Sequence, residues 1–222
     1  MIEIVRDDLL LGGSKGIIAE YIIKNNNSDI FVYASPVYGG FQIALSIMCQ
    51  KYNKKCVIVC AKHTNKHPNT LLCESYGAEI MEIFPGYLSV IQKRARDYSC
   101  ENNAFNINFG CFSPIYISLL SSRVKTFKEP DEIWCVVGSG TLVSAILEGT
   151  EKCKVFGIVV GKKCDIKHQR LSLIYYDKPF EYETKFMTPF PSMKNYDAKA
   201  YEVLIRERGV APKQNILFWN VM

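Results

Sequence analysis

Three short segments bring together residue types that can do chemistry. The first is Gly12-Gly13-Ser14-Lys15-Gly16, which follows the acidic pair Asp7-Asp8 and precedes the helical run from Ile17 to Ile23. Glycine lets a backbone take φ > 0 and approach a ligand closely, and it leaves space around the lysine. An amine held in such a turn can form an imine with an aldehyde, although the same residues also suit an ordinary turn with a solvated lysine. The second segment is Val136-Val137-Gly138-Ser139-Gly140-Thr141, an apolar strand running into the helical stretch from Leu142 to Leu147. Strand, tight turn and helix start together aim backbone N–H groups and the positive end of a helix dipole at one point, which is how phosphates are held. Ser139 and Thr141 add hydroxyl donors. No Gly-Lys-Ser/Thr follows, so this is no Walker loop, and the full dinucleotide glycine pattern is missing too. An ordinary strand-to-helix turn is the competing reading. The third segment is Asn195-Tyr196-Asp197-Ala198-Lys199-Ala200. Read by itself, Asp197 is a helix N-cap contributing about 1 kcal/mol.

The elements that must position these segments follow from periodicity. Short β-branched or aromatic runs, Ile30 to Tyr33, Cys56 to Cys60, Glu79 to Ile83, Ile133 to Val137, Val155 to Val160 and Ile216 to Trp219, read as strands. Between them Phe41, Leu45, Met48 and Tyr52 recur at helical spacing, as do Leu88, Ile91 and Ala95, then Ile115, Leu119 and Ser122, then Ala198, Tyr201 and Ile205. The alternation predicts an α/β chain of mostly parallel, doubly wound sheets. Asp177-Lys178-Pro179 and Thr188-Pro189-Phe190-Pro191-Ser192 break any helix and predict an ordered loop before the last helix and strand, placed to line a site.

Length and composition bound the function. A chain of 222 residues buries a sizeable core, and no segment reaches the roughly 18 to 20 uninterrupted apolar residues of a membrane span. The start Met1-Ile2-Glu3-Ile4-Val5-Arg6 lacks the pattern of a secretory signal, so a cytoplasmic location is expected. Nine cysteines without a Cys-x-x-Cys pair read as reduced, packed thiols rather than a disulfide framework or a zinc site. The net charge of +5 suits anionic ligands, but Lys and Arg are not massed as in a nucleic-acid-binding face. His63 and His67 are four apart beside Pro68, in a loop rather than on a metal-binding helix, and no metal is expected. Lys93-Arg94-Ala95-Arg96 reads as a solvated helix face, with the option of bordering a cleft near Gly86-Tyr87 and attracting an anionic substrate.

Taken in order, Arg6-Asp7-Asp8-Leu9 with Gly12-Gly13-Ser14-Lys15, then Gly138-Ser139-Gly140-Thr141, then Tyr196-Asp197-Ala198-Lys199-Ala200 resemble the landmarks of the tryptophan-synthase-β-like (fold type II) pyridoxal phosphate enzymes. Within them the likeness is nearest to aminocyclopropane-carboxylate deaminase and D-cysteine desulfhydrase. It covers nearly the whole chain, in a shortened form. The resemblance implies that pyridoxal 5'-phosphate is carried as a Schiff base on Lys15 and that Gly138, Ser139, Gly140 and Thr141 hold its phosphate. It implies that Asp197 partners the pyridine nitrogen and that Tyr196 faces the substrate as an acid or base. It also implies two lobes with the cofactor site between them, a large one from residues 1–34 and 111–222 and a small one from 35–110, and a homodimer.

The sequence departs from that family after the strand ending at Tyr33. A Ser-Asn or Ser-Gly-Asn element is usual there, whereas this chain has Ser35-Pro36-Val37-Tyr38-Gly39-Gly40-Phe41-Gln42. Ser35, Tyr38, the Gly39 and Gly40 amides and Gln42 are then the candidates for the substrate's carboxylate. The family's Thr-Gly-Gly tail is also missing. Action at the α-carbon of an amino acid or amine, as a deaminase, lyase or decarboxylase, is the expected reaction. Two alternatives stand beside it: modification of an amino-acid adduct on a nucleotide or DNA base, of the viral hypermodification kind, and a non-catalytic protein that binds the cofactor or another phosphate ligand.

Overall fold

The computed structural model describes residues 1–161 and 163–222. In chain order its elements are β1 (Ile2–Arg6), α1 (Gly13–Lys24), β2 (Ile30–Ala34), α2 (Phe41–Lys51), β3 (Lys55–Ala61), α3 (Pro68–Ser75), β4 (Glu79–Ile83), α4 (Leu88–Glu101), β5 (Phe105–Ile107), α5 (Pro114–Val124), β6 (Glu132–Val137), α6 (Thr141–Gly149), β7 (Lys154–Val159), β8 (Leu171–Tyr175), α7 (Asp197–Arg208) and β9 (Ile216–Asn220). They form two compact units, Met1–Leu10 with Phe112–Met222, and Leu11–Cys111. No helix among the described residues is long and apolar enough to cross a membrane.

In the first unit the strand order is β1-β9-β6-β7-β8, with every pairing parallel. Every residue of β6 and β9 is buried, as expected of central parallel strands covered on both faces. Each strand carries a tryptophan whose indole N–H finds a carboxylate. Trp134 donates to Glu132 at 2.8 Å, and Arg208 pairs with Glu132 while lying over the rings of Trp134 and Phe156. Trp219 donates to Asp7 at 3.0 Å, and Arg123 of α5 pairs with the same buried carboxylate. Asp7 thus ties the chain after β1 to both β9 and α5. Arg6 and Asp8 form a two-pronged pair at 2.8 and 2.7 Å.

The second unit is a four-stranded parallel sheet in the order β4-β3-β2-β5. Side chains alternate across a strand, so Val32, Ala34, Val57 and Val59 pack with Ile91 and Ala95 of α4 on one face. Tyr33 meets Phe41 of α2, and Cys56 meets Ser46 of α2, on the other. The helix α1 packs on α2, and β2 pairs with both β3 and β5. Residues 11–34 therefore group with the second unit, and the division falls between Leu10 and Leu11 rather than at the expected 34/35 boundary.

One helix face also differs from expectation. In α5 the buried residues are Leu120, Ser121 and Val124, whereas Ile115 is exposed. The apolar stripe through Ile115, Leu119 and Ser122 is rotated because α6 approaches closely. At Gly149 of α6 an added Cβ would come within 2.8 Å of Val124 Cβ and 3.0 Å of the Ser121 carbonyl.

Candidate active site

Lys15 lies in the first turn of α1, just after Gly12 and Gly13, whose φ values are +76° and +67°. The glycine that follows is required by sterics: a Cβ on Gly16 would sit 2.0 Å from the Leu11 carbonyl oxygen. Chain entry and helix start are thereby folded tightly around Lys15. Cys111 of the same unit lies near it, and Tyr33 near Cys111. Burial pushes the Cys111 thiol up to about 12, and the nearby positive charge of Lys15 opposes that rise. Cys111 itself takes a left-handed φ of +46° after Gly110 at +86°. Tyr33 is pushed far up, mainly by burial and also by Cys111, while the Gly110 N–H bonds to its hydroxyl.

The loop after β2 is held from beneath. Gln42 is fully buried, and its amide nitrogen donates to the carbonyls of Pro36, Val37 and Gly39 at 3.2, 2.8 and 2.9 Å. Its donors are committed to the loop, so Gln42 shapes the backbone of Pro36 to Gly39 rather than offering an N–H to a ligand. Ser35 is also buried and donates to the Pro36 carbonyl at 2.9 Å. Tyr38 is half-buried with its ring edge-on to His67, 4.5 Å between centroids. His67 caps α3 by accepting the Asn69 N–H at 3.1 Å, which accounts for its place structurally.

In the first unit, Gly138-Ser139-Gly140-Thr141 joins β6 to α6. Gly140 precedes the helix with φ +90° and has no side chain with which to cap it, and the first N–H groups of any α-helix lie beyond the reach of the helix's own carbonyls. The Ser139 and Thr141 hydroxyls stand 3.0 Å apart beside them. A Cβ at Gly138 would fall 2.6 Å from the Tyr196 hydroxyl oxygen. Glycine is therefore what lets Tyr196 lie against the turn, where its hydroxyl accepts the Gly138 N–H. Burial, the charge of Asp197 and Cys135 all push the Tyr196 phenol upward.

Asp197 opens α7 and is fully buried. Its two carboxylate oxygens accept the backbone N–H groups of Val221 at 3.2 Å and Met222 at 3.3 Å, just past β9. Amide donors of this kind favour the ionised form. Tyr196, Asp197 and the glycine turn are thus gathered within one unit, while Lys15, Ser35, Tyr38, Gly39, Gly40 and Gln42 belong to the other.

Sequence reasoning missed Lys199. It is fully buried on α7, donates to the carbonyls of Pro179 and Phe180 at 2.8 and 3.2 Å, and sits over the rings of Tyr176 and Tyr182. Burial lowers its pKa against the opposing charges of Glu181 and Glu202. Glu202 also accepts hydrogen bonds from Tyr176 at 2.7 Å and Thr184 at 2.5 Å. These contacts order the proline-containing loop, and the only cue in the sequence was its run of tyrosines and prolines.

Chemically, a helix start that follows a glycine turn and carries two hydroxyls suits a phosphate, and a buried carboxylate held by two backbone amides suits a protonated ring nitrogen. The sequence model of the pyridoxal-phosphate dependent enzyme family matches residues 6–180. No curated protein sequence matches the chain. Among solved structures, an ACC deaminase homologue superposes with a TM-score of 0.81 at 19% identity, covering 99% of this chain and 83% of that one. A T.th. threonine deaminase gives 0.73 at 14% identity, covering 98% and 85%. A fungal L-serine ammonia-lyase from Rhizomucor miehei gives 0.72 at 13% identity, covering 99% and 87%. By family match and by fold, the chain belongs to the pyridoxal-phosphate dependent enzymes of fold type II.

Proposed function

We propose that this enzyme acts at the α-carbon of an amino acid or amine, in the manner of a deaminase, lyase or decarboxylase, with Lys15 as the covalent anchor of pyridoxal phosphate. The observation that carries the reading is the glycine turn before α6, whose hydroxyl pair is 3.0 Å apart, in a chain that also buries a carboxylate at the start of α7. When bound, the cofactor supplies an aldehyde that condenses with amines and a cationic ring that withdraws electrons from the neighbouring α-carbon.

Each residue then has a task. The first-turn amides of α6, with Ser139 and Thr141, bind the phosphate. Asp197 keeps a proton on the ring nitrogen, its own negative charge maintained by the Val221 and Met222 amides. Lys15 Nζ moves a proton at the substrate's α-carbon. Tyr196, whose phenol burial keeps protonated, donates a hydrogen bond as an acid. Tyr38 and the Gly40 amide receive the substrate carboxylate, while Ser35 and Gly39, whose O–H and N–H both go to the Pro36 carbonyl, and Gln42 hold that loop in shape.

The test is spectroscopic. Addition of a substrate amino acid or amine to the holoenzyme is expected to shift its visible absorption band and to release product, and Lys15→Ala is expected to abolish turnover. An absorption band that answers to no member of a broad panel of amino acids and amines would overturn the reading.

A further inference from the structure

The second unit contains a crevice of about 280 Å³ where β2 and β5 end beneath α4. Its position is significant in the topology. From β2 the chain proceeds through β3 and β4 on one side, then returns over the opposite face through α4 to place β5 on the other side of β2. The carboxyl ends of β2 and β5 thus flank the point where the strand order reverses, and ligands of open α/β sheets settle at such a switch point.

Its walls are chemically selective. Ala34 ends β2 at the crevice, α4 contributes Gln92 and Arg96, and the end of β5 contributes Asn106, Asn108 and Phe109. None of the four polar side chains hydrogen-bonds to another described residue. The contrast with their neighbours is plain: Asn102 donates to the Tyr98 carbonyl, and Asp97 is paired with Lys93 at 2.8 Å, so the acid next to Arg96 is already engaged. Phe109 is braced by Tyr33, the rings stacked 6.4 Å apart.

We propose that this crevice binds a small hydroxy- or amino-carboxylate. The guanidinium of Arg96 presents a planar fork that fits a carboxylate with two parallel hydrogen bonds. Each carboxamide of Gln92, Asn106 and Asn108 offers both a donor and an acceptor to the ligand's hydroxyl or amino groups. One monovalent cation matches one carboxylate. The volume lies just below the roughly 300–1,000 Å³ of most small-molecule sites, which limits the ligand to a few carbons. The site consists of second-unit residues alone and does not depend on the role proposed for Lys15.

The probe is D-glycerate, which has no amine and so cannot compete for the cofactor's aldehyde. Titrated into the holoenzyme, it is expected to move the side-chain amide resonances of Gln92, Asn106 and Asn108 saturably. Arg96→Gln is expected to weaken binding at least about tenfold, the scale of a lost charge-assisted two-pronged contact. Glyceramide, which lacks the charge, is expected to leave the resonances unmoved. Because Arg96 is exposed, its replacement leaves the core intact; Gln92→Ala, also expected to weaken binding, provides a second variant. Absence of a saturable shift, or equal affinity in wild type and both variants, would overturn the proposal.

Discussion

At the scale of single residues, the site is governed by which atoms leave room for which others. Gly138 is the sharpest case, since a Cβ there would meet the Tyr196 hydroxyl oxygen at 2.6 Å and the ring carbon Cε2 at 3.3 Å. Gly138→Ala is expected to destabilise the protein by about 1–3 kcal/mol, the usual cost of overpacking. Tyr196→Phe in that background removes the nearest atom and is expected to restore part of the loss. Thermal unfolding of the four chains in a double-mutant cycle measures the coupling; strictly additive effects would show that the contact does not govern the turn. The local setting of Lys15, the Gly138 to Thr141 turn and Asp197 was legible in residue types and order, because each stands at the start of a helix. The commitment of Gln42 to three carbonyls and the burial of Lys199 were not, because each depends on a loop folding back over a helix.

At the scale of elements, α1 is joined to α2 by Glu20, which accepts hydrogen bonds from Lys51 at 2.8 Å and from Tyr52. Lys51, Tyr52 and Lys24 hold its carboxyl at about 2 rather than 4.5. A depressed carboxylate stabilises the folded state above its ordinary value and loses that contribution as pH falls through the folded one. The link is thus complete above about 4.5 and fades toward 2. Glu20→Gln is expected to flatten the acid limb of the stability profile by less than about 1 kcal/mol, because the group is largely solvated. A denaturant series between neutral and acid pH tests this, and an unchanged limb would contradict it.

The same scale shows which elements periodicity reveals. The strands β2, β3, β4, β6, β7 and β9 stand where apolar runs place them. The strands β1, β5 and β8 were not among the expected ones, since β5 has 3 residues and the edge strands β1 and β8 are only partly buried. The face of α5 was misjudged because Ser121, a polar but small residue, is buried where α6 needs close approach. Periodicity weights size and polarity, and it does not register the benefit of a small side chain at a crossing.

At the scale of the whole molecule, the fold is shared at 13–19% identity with TM-scores of 0.72–0.81, so what persists is the order of strands, helices and turns rather than the residues between them. The division into units was the part of the architecture the sequence placed differently, because only strand pairing reveals that β2 belongs with β3 and β5. The whole account depends on one amine serving as the cofactor's anchor, and two lysines compete for that title chemically. Lys15 follows a glycine turn at a helix start, whereas Lys199 is a buried amine already held by the carbonyls of Pro179 and Phe180. Borohydride reduction of the yellow holoenzyme followed by peptide mapping decides directly. The account predicts a stable pyridoxyl adduct on Lys15, and an adduct on Lys199 or on any other lysine, or none at all, would contradict it.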